Sequence, residues 1–109
     1  MAITPKRLGQ AQLGTGNTTI YTAPGATTGV IRSITICNTT AAVRVFSLYL
    51  VPSGGSPGDA TAIFRNYSVS PNDTLQDDGV HVLLTGGTVV GVADAATSIT
   101  VTVDGAEVT

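Results

Sequence analysis

Residues 20–55 leave room for little but β-structure. They read as a short strand Ile20-Tyr21-Thr22, a turn at Ala23-Pro24-Gly25, and two long runs separated by Asn38-Thr39-Thr40. In the turn, Pro24 presets φ and Gly25 supplies the positive φ that a tight reversal needs. The first long run, Val30-Ile31-Arg32-Ser33-Ile34-Thr35-Ile36-Cys37, alternates as a half-buried strand does. Val30, Ile34 and Ile36 form its apolar side and Ile31, Ser33, Thr35 and Cys37 the other. Arg32 is the one misfit on the core side, close enough to the strand's start to reach water. The second run, residues 43–51, is apolar on both faces: Val43, Val45, Tyr49 and Val51 share one side, Arg44, Phe46, Leu48 and Leu50 the other. Two causes are open, a bulge near Ser47 that switches the inward face or an outer face covered by another subunit, and the second is favoured. The short connection at residues 38–41 predicts an antiparallel hairpin between the two runs.

The remaining chain repeats the pattern. Leu8, Ala11 and Leu13 suggest a first strand, preceded by residues 1–7 as a flexible or partner-docked arm. Residues 61–69 alternate, with Ile63, Tyr67 and Val69 on one face; residues 74–76, 80–84 and 88–93 follow as short strands. The last strand places Ile99, Val101 and Val103 toward the core and Ser98, Thr100, Thr102 and Asp104 outward. Turn signals at Gly14-Thr15-Gly16-Asn17, Ser70-Pro71-Asn72-Asp73, Asp77-Asp78-Gly79, Gly86-Gly87 and Asp94-Ala95-Ala96 separate them. About eight strands spaced by roughly 8–12 residues predict an all-β antiparallel sandwich, jelly-roll or immunoglobulin-like, over residues 8–109 with an extended N-terminal arm.

Composition narrows the function classes. Charged residues are 11% of the chain, and 18 threonines take much of their place. A weakly hydrated surface of this kind suits packing into a larger assembly, because desolvating Thr and Ala costs less than desolvating unpaired charge. A net charge of −2 with five scattered cations argues against a nucleic-acid partner; Lys6-Arg7 is the one adjacent cationic pair. No apolar run approaches the ~20 residues of a membrane span, so no membrane partner is expected and the product is expected to begin as a soluble cytoplasmic protein.

Catalytic parts are sparse. His81, alternating with Val80 and Val82, reads as an outward strand residue, and Cys37 as a small buried apolar one. Asp73, Asp77 and Asp78 offer oxygen ligands for a cation, but they match no calcium-loop spacing and read more simply as turn formers. The 53–59 loop lacks the Lys and following helix of a phosphate cradle. Tyr21, Tyr49 and Tyr67 with Phe46 and Phe64 suit a small core as well as a sugar-stacking platform. Asn-x-Ser/Thr triplets at Asn17, Asn38, Asn66 and Asn72 read as turn chemistry. The expectation is therefore a non-enzyme without cofactor or metal.

Several strings resemble small virion proteins of tailed bacteriophages. They are Thr4-Pro5-Lys6-Arg7-Leu8-Gly9-Gln10-Ala11-Gln12-Leu13, Ile20-Tyr21-Thr22-Ala23-Pro24-Gly25, Ile34-Thr35-Ile36-Cys37-Asn38-Thr39-Thr40, Leu50-Val51-Pro52-Ser53-Gly54-Gly55 and the closing Val101-Thr102-Val103-Asp104-Gly105-Ala106-Glu107-Val108. The resemblance implies a virion β-sandwich, often oligomeric, attached to a head or tail. The leading expectation is a capsid decoration or cement protein, a homo-oligomer such as a trimer that bridges major capsid protein subunits. Val43, Val45 and Tyr49 are the expected subunit contact, and Ile3, Thr4, Pro5, Lys6, Arg7 and Leu8 the arm that reaches the shell. The alternative is a tail or fibre component binding a host glycan through the 53–59 loop and Asp77-Asp78.

Overall fold

A computed structural model describes residues 2–109. Among these residues nine strands form two antiparallel sheets: β1 (Ile3–Gln12), β2 (Thr18–Thr22), β3 (Thr28–Asn38), β4 (Arg44–Val51), β5 (Ala62–Val69), β6 (Thr74–Asp77), β7 (His81–Leu83), β8 (Thr88–Ala93) and β9 (Ile99–Val108). The first sheet runs β1-β9-β3, with β6 and β7 sharing the position beyond β3; the second runs β2-β8-β4-β5. The pairs β1 with β9, β2 with β8, β3 with β6 and β7, and β4 with β5 are nested like the rungs of one long hairpin. Rolled into two facing sheets, that nesting is a jelly roll, which decides between the two expected sandwich types. No helix among the described residues is long and apolar enough to cross a membrane.

The core lies between the sheets. Ile31, Ile34, Ile36, Ile99, Val101 and Val103 enter it from the first, and Phe46, Leu48 and Val89 from the second, all essentially inaccessible. The alternation expected for β9 holds at its three apolar positions, although Ser98, expected outward, is buried and donates to the Ala95 carbonyl at 2.7 Å.

Three expectations about the long runs change. First, β3 and β4 are not a hairpin, since they belong to opposite sheets. Their connection is a corner, held by the fully buried Asn38: its Nδ2 donates to the carbonyls of Ala42 (2.8 Å), Val69 (3.1 Å) and Ser70 (3.2 Å). Its Oδ1 accepts from the Thr40 backbone N–H at 3.0 Å and hydroxyl at 2.8 Å. Second, the Arg32 misfit marks a change of phase. Ile31 pairs with Gly105 and Ser33 with Asp104, so Arg32 bulges from the ladder; odd positions face inward before it and even positions after it. Third, β4 keeps an unbroken register with β8, and the irregularity near Ser47 lies in β5. There Asn66 adopts φ +49°, and its N–H donates to the buried Ser47 Oγ at 2.9 Å. Because β5 is irregular, Phe64 and Tyr67 pack together against Phe46, centroids 5.3–5.9 Å apart, where simple alternation had put them on opposite faces.

The first turn also differs in detail, because the positive φ falls on Ala26 (53°) and not on Gly25. The N-terminal segment is extended but does not stand apart. Ile3 to Arg7 pair with Val108 to Asp104, and Ala2 and Thr109 exchange backbone hydrogen bonds of 2.9–3.0 Å, so the expected arm is the edge strand of the first sheet, its ladder running along β9.

The sheets are bolted at that end by polar groups. Tyr21 of β2 donates its hydroxyl to Glu107 of β9 at 2.8 Å, and Lys6 of β1 approaches the other carboxylate oxygen at 3.1 Å. These bonds, Tyr21's first, hold the Glu107 carboxyl below its usual range, while burial and the same bond push the Tyr21 phenol up. A carboxyl lowered in the folded state stabilises above its unfolded pKa of about 4.3, and that contribution disappears as pH falls through the folded value. Thermal melts should therefore show Glu107→Gln melting below wild type at pH 7 and the gap closing at pH 3; a pH-independent gap would mean the ionised carboxylate contributes nothing.

Candidate interaction surface

The registers of the first sheet define what its outer face presents. At the end that holds the chain termini, Pro5 pairs with Ala106, Ala106 with Val30, and Val30 with Val82, an apolar row across four strands. Residues in register project to the same face. The next row out is Ile3, Val108 and Thr28, and Leu84 continues it just past β7. Val80 extends the patch on the other side of Val82. Of the six exposed large hydrophobic side chains among the described residues, four lie here: Leu84 (70% exposed), Ile3 (62%), Val80 and Val82 (58% each).

The Arg32 bulge bounds this half-face. Beside it, Leu8 is the extra residue in β1, between the pairs Arg7 with Asp104 and Gly9 with Val103. Both bulges flank Asp104 of β9, and next to it Gly105 gives room on the β3 side: a Cβ there would lie 1.9 Å from the Val30 carbonyl oxygen. Beyond the bulges the outer face turns polar. Gln10, Thr102, Thr35 and Gln76 form one cross-strand row, with Gln10 donating to the Thr102 hydroxyl at 2.9 Å, and Gln12, Thr100, Cys37 and Thr74 form the next. One sheet face is thus divided into an apolar half and a Thr/Gln half, with Arg7, Asp104 and Arg32 along the border. None of those three forms an ion pair among the described residues, whose ion pairs are Lys6 with Glu107, Arg65 with Asp59 and His81 with Asp77.

An apolar recess of about 370 Å³ adjoins the patch at the mouth between the sheets, lined by Leu50, Pro52, Ser53, Leu83, Thr85 and the shared residues Val82 and Leu84. His81 forms the other border. It faces inward, contrary to expectation, and Val80 and Val82 face out; its Nε2 lies 3.0 Å from Asp77 Oδ2. That bond first, and a 2.9 Å bond from the Gly79 N–H, hold the Asp77 carboxyl below its usual range. Asp73 accepts from the N–H of Thr74 at 2.9 Å. Asp73 and Asp77 thus serve their own turns, and among the described residues no three metal-ligating groups converge.

The other expected site residues are scattered. Val43 stands 54% exposed beside the second sheet, while Val45 and Tyr49 on its outer face are half-buried. Val51 and Val90, on that same outer face, are already buried within the single chain. Ile3 to Arg7 are exposed, but Leu8, expected to reach the shell with them, points into the core at 9% exposure. Cys37, expected as a small buried residue, lies half-buried on the outer Thr/Gln half, on the side of β3 opposite Ile34 and Ile36. The five aromatics make no common platform: Tyr21 is bolted to Glu107, Tyr49 lies on an outer face, and Phe46, Phe64 and Tyr67 cluster at one edge. Sequence reading missed the apolar half-face, which only the strand registers assemble.

No protein-family model and no curated protein matches the chain. Among solved structures, it is similar to chains in structures of infectious bursal disease virus, the Gx strain with TM-score 0.46 and the Gt strain with TM-score 0.40. Each is 11% identical, and each alignment covers 97% of this chain and 30% of the viral one. The chain therefore spans less than a third of the length of the viral chains it matches.

Proposed function

We propose that the chain is a virion structural protein, and within that class a capsid decoration protein of a tailed bacteriophage that binds the head surface as an oligomer and stabilises the shell. The observation that carries the proposal, through its oligomeric part, is the apolar half-face. Large aliphatic side chains more than half exposed, on a rigid sheet in a chain with few charges, are stabilising only when something covers them. The virion-protein strings in the sequence supply the kind of particle. Jelly rolls also build viral capsid and lectin domains, a fold-level analogy that agrees without deciding. No catalytic activity or cofactor belongs to this reading.

Shell stabilisation follows from linkage, since a protein that binds only the assembled lattice shifts disassembly by mass action. The test is co-sedimentation of the purified protein with heads and, separately, with tails of the encoding phage. Saturable binding to heads alone is the expected result. Binding to tails or to host polysaccharide, with none to heads, would replace decoration with receptor recognition.

A further inference from the structure

We infer that the divided outer face of the first sheet is a self-association surface, and that its occupant is the same face of a second copy of this chain. The inference stands whether or not the final assembly is a virus particle. Three observations support it.

The first is size. Four strands about 4.8 Å apart and ten residues long, at about 3.3 Å each, span roughly 600 Å² in plan, comparable with the ~800 Å² per partner of a stable protein interface. The apolar half alone is roughly half of that and too small to hold two proteins. The second is anatomy. The face has an apolar patch without charges, flanked by hydroxyls and amides that hydrogen-bond readily to a partner, as the cores and rims of interfaces do. The third is charge. Across the border the order is Arg7, Asp104, Arg32, from β1, β9 and β3, and none is ion-paired within the described residues. A strip of alternating sign turned about a two-fold axis and displaced by one strand faces its own complement, so Asp104 of each copy meets an arginine of the other.

Sheets pack face to face at about 10 Å, the spacing already used inside each sandwich. Packing a face on itself closes as a two-fold pair and leaves no free copy of the surface, so assembly through it stops at a dimer and does not form the three-fold ring expected from sequence. It also leaves Val43 and the second sheet's outer face open.

Light scattering of the full chain across a concentration series tests this. The expected mass is about 22 kDa, twice the 11.0 kDa of one chain. Val82→Asp and Leu84→Asp, each at an exposed position where the fold has no stake, should weaken association at least about tenfold, and Val43→Asp should leave it unchanged. Asp104→Arg should weaken it as well, by removing the one negative group in the strip. Thiol modification gives a second readout: Cys37 lies on the same face, so its alkylation should slow as dimer forms and recover in Val82→Asp. Monomer at about 100 µM, a trimer mass, or a dimer indifferent to Val82→Asp and Leu84→Asp would each overturn the inference. A monomer that still binds heads would overturn it alone, and a dimer that binds neither heads nor tails would overturn only the virion reading.

Discussion

Asn38→Asp should cost about 3–5 kcal/mol of folding stability at neutral pH, a large share of the 5–15 kcal/mol typical of a domain. The native amide donates toward three carbonyls, those of Ala42, Val69 and Ser70, and accepts twice from Thr40, in a site without measurable solvent exposure. A carboxylate keeps the acceptor side but turns an acceptor toward three acceptors, and buried charge without a counter-ion is costly. The corner joining the two sheets would lose its tie, because Val69 and Ser70 end β5 while Ala42 leads into β4. Urea unfolding gives the loss directly, and lowering the pH should recover part of it as the carboxyl regains a proton. A loss below 1 kcal/mol would show that the corner holds without the amide.

Gly105→Ala should destabilise by about 3 kcal/mol or more, the upper end of the range for overpacking. The added Cβ would sit 1.9 Å from the Val30 carbonyl oxygen and 3.0 Å from its carbon, and this neighbour is backbone that cannot rotate away. Relief would require opening the ladder between β3 and β9 beside the Arg32 bulge, which sets the phase of every residue on both sides of it. Gly9→Ala belongs to the same class, with a Cβ 2.2 Å from the Ile20 carbonyl oxygen. Gly16→Ala and Gly25→Ala are the controls: neither position has a heavy atom within 4 Å of the new Cβ, and a change within about 0.5 kcal/mol is expected. Equal effects at Gly105 and Gly16 would contradict the close approach at the bulge.

These residues mark how far the sequence was legible. Alternation in residues 99–103 gave the inward face of β9 correctly, since an unbroken period of two has one solution. In β3 alternation fails at one residue. Val30-Ile31 before Arg32 places two apolar groups in succession, a sign that the phase changes there; a single phase with Arg32 as a misfit puts Val30 and Ile31 on the wrong sides. Asn38 looked like a turn residue, and turn residues at a short connection suggest a hairpin; only tertiary contacts make it a buried corner between sheets. His81 reads as outward because valines are usually inward, yet at the edge of the first sheet the covering side chain is Leu83. The apolar half-face was invisible for a different reason. Ile3, Val30, Val82, Leu84 and Val108 come from four strands far apart in sequence, and each alone reads as an ordinary strand residue until the register aligns them.

The most direct test of shell stabilisation is the temperature at which purified heads, stripped of this protein, come apart with increasing amounts of it added back. A stabilising decoration protein must raise that temperature with concentration, since a ligand at 100 times its Kd contributes about 2.7 kcal/mol per site to the state that binds it. A saturable upward shift is expected. Heads that bind the protein yet come apart at an unchanged temperature would contradict it.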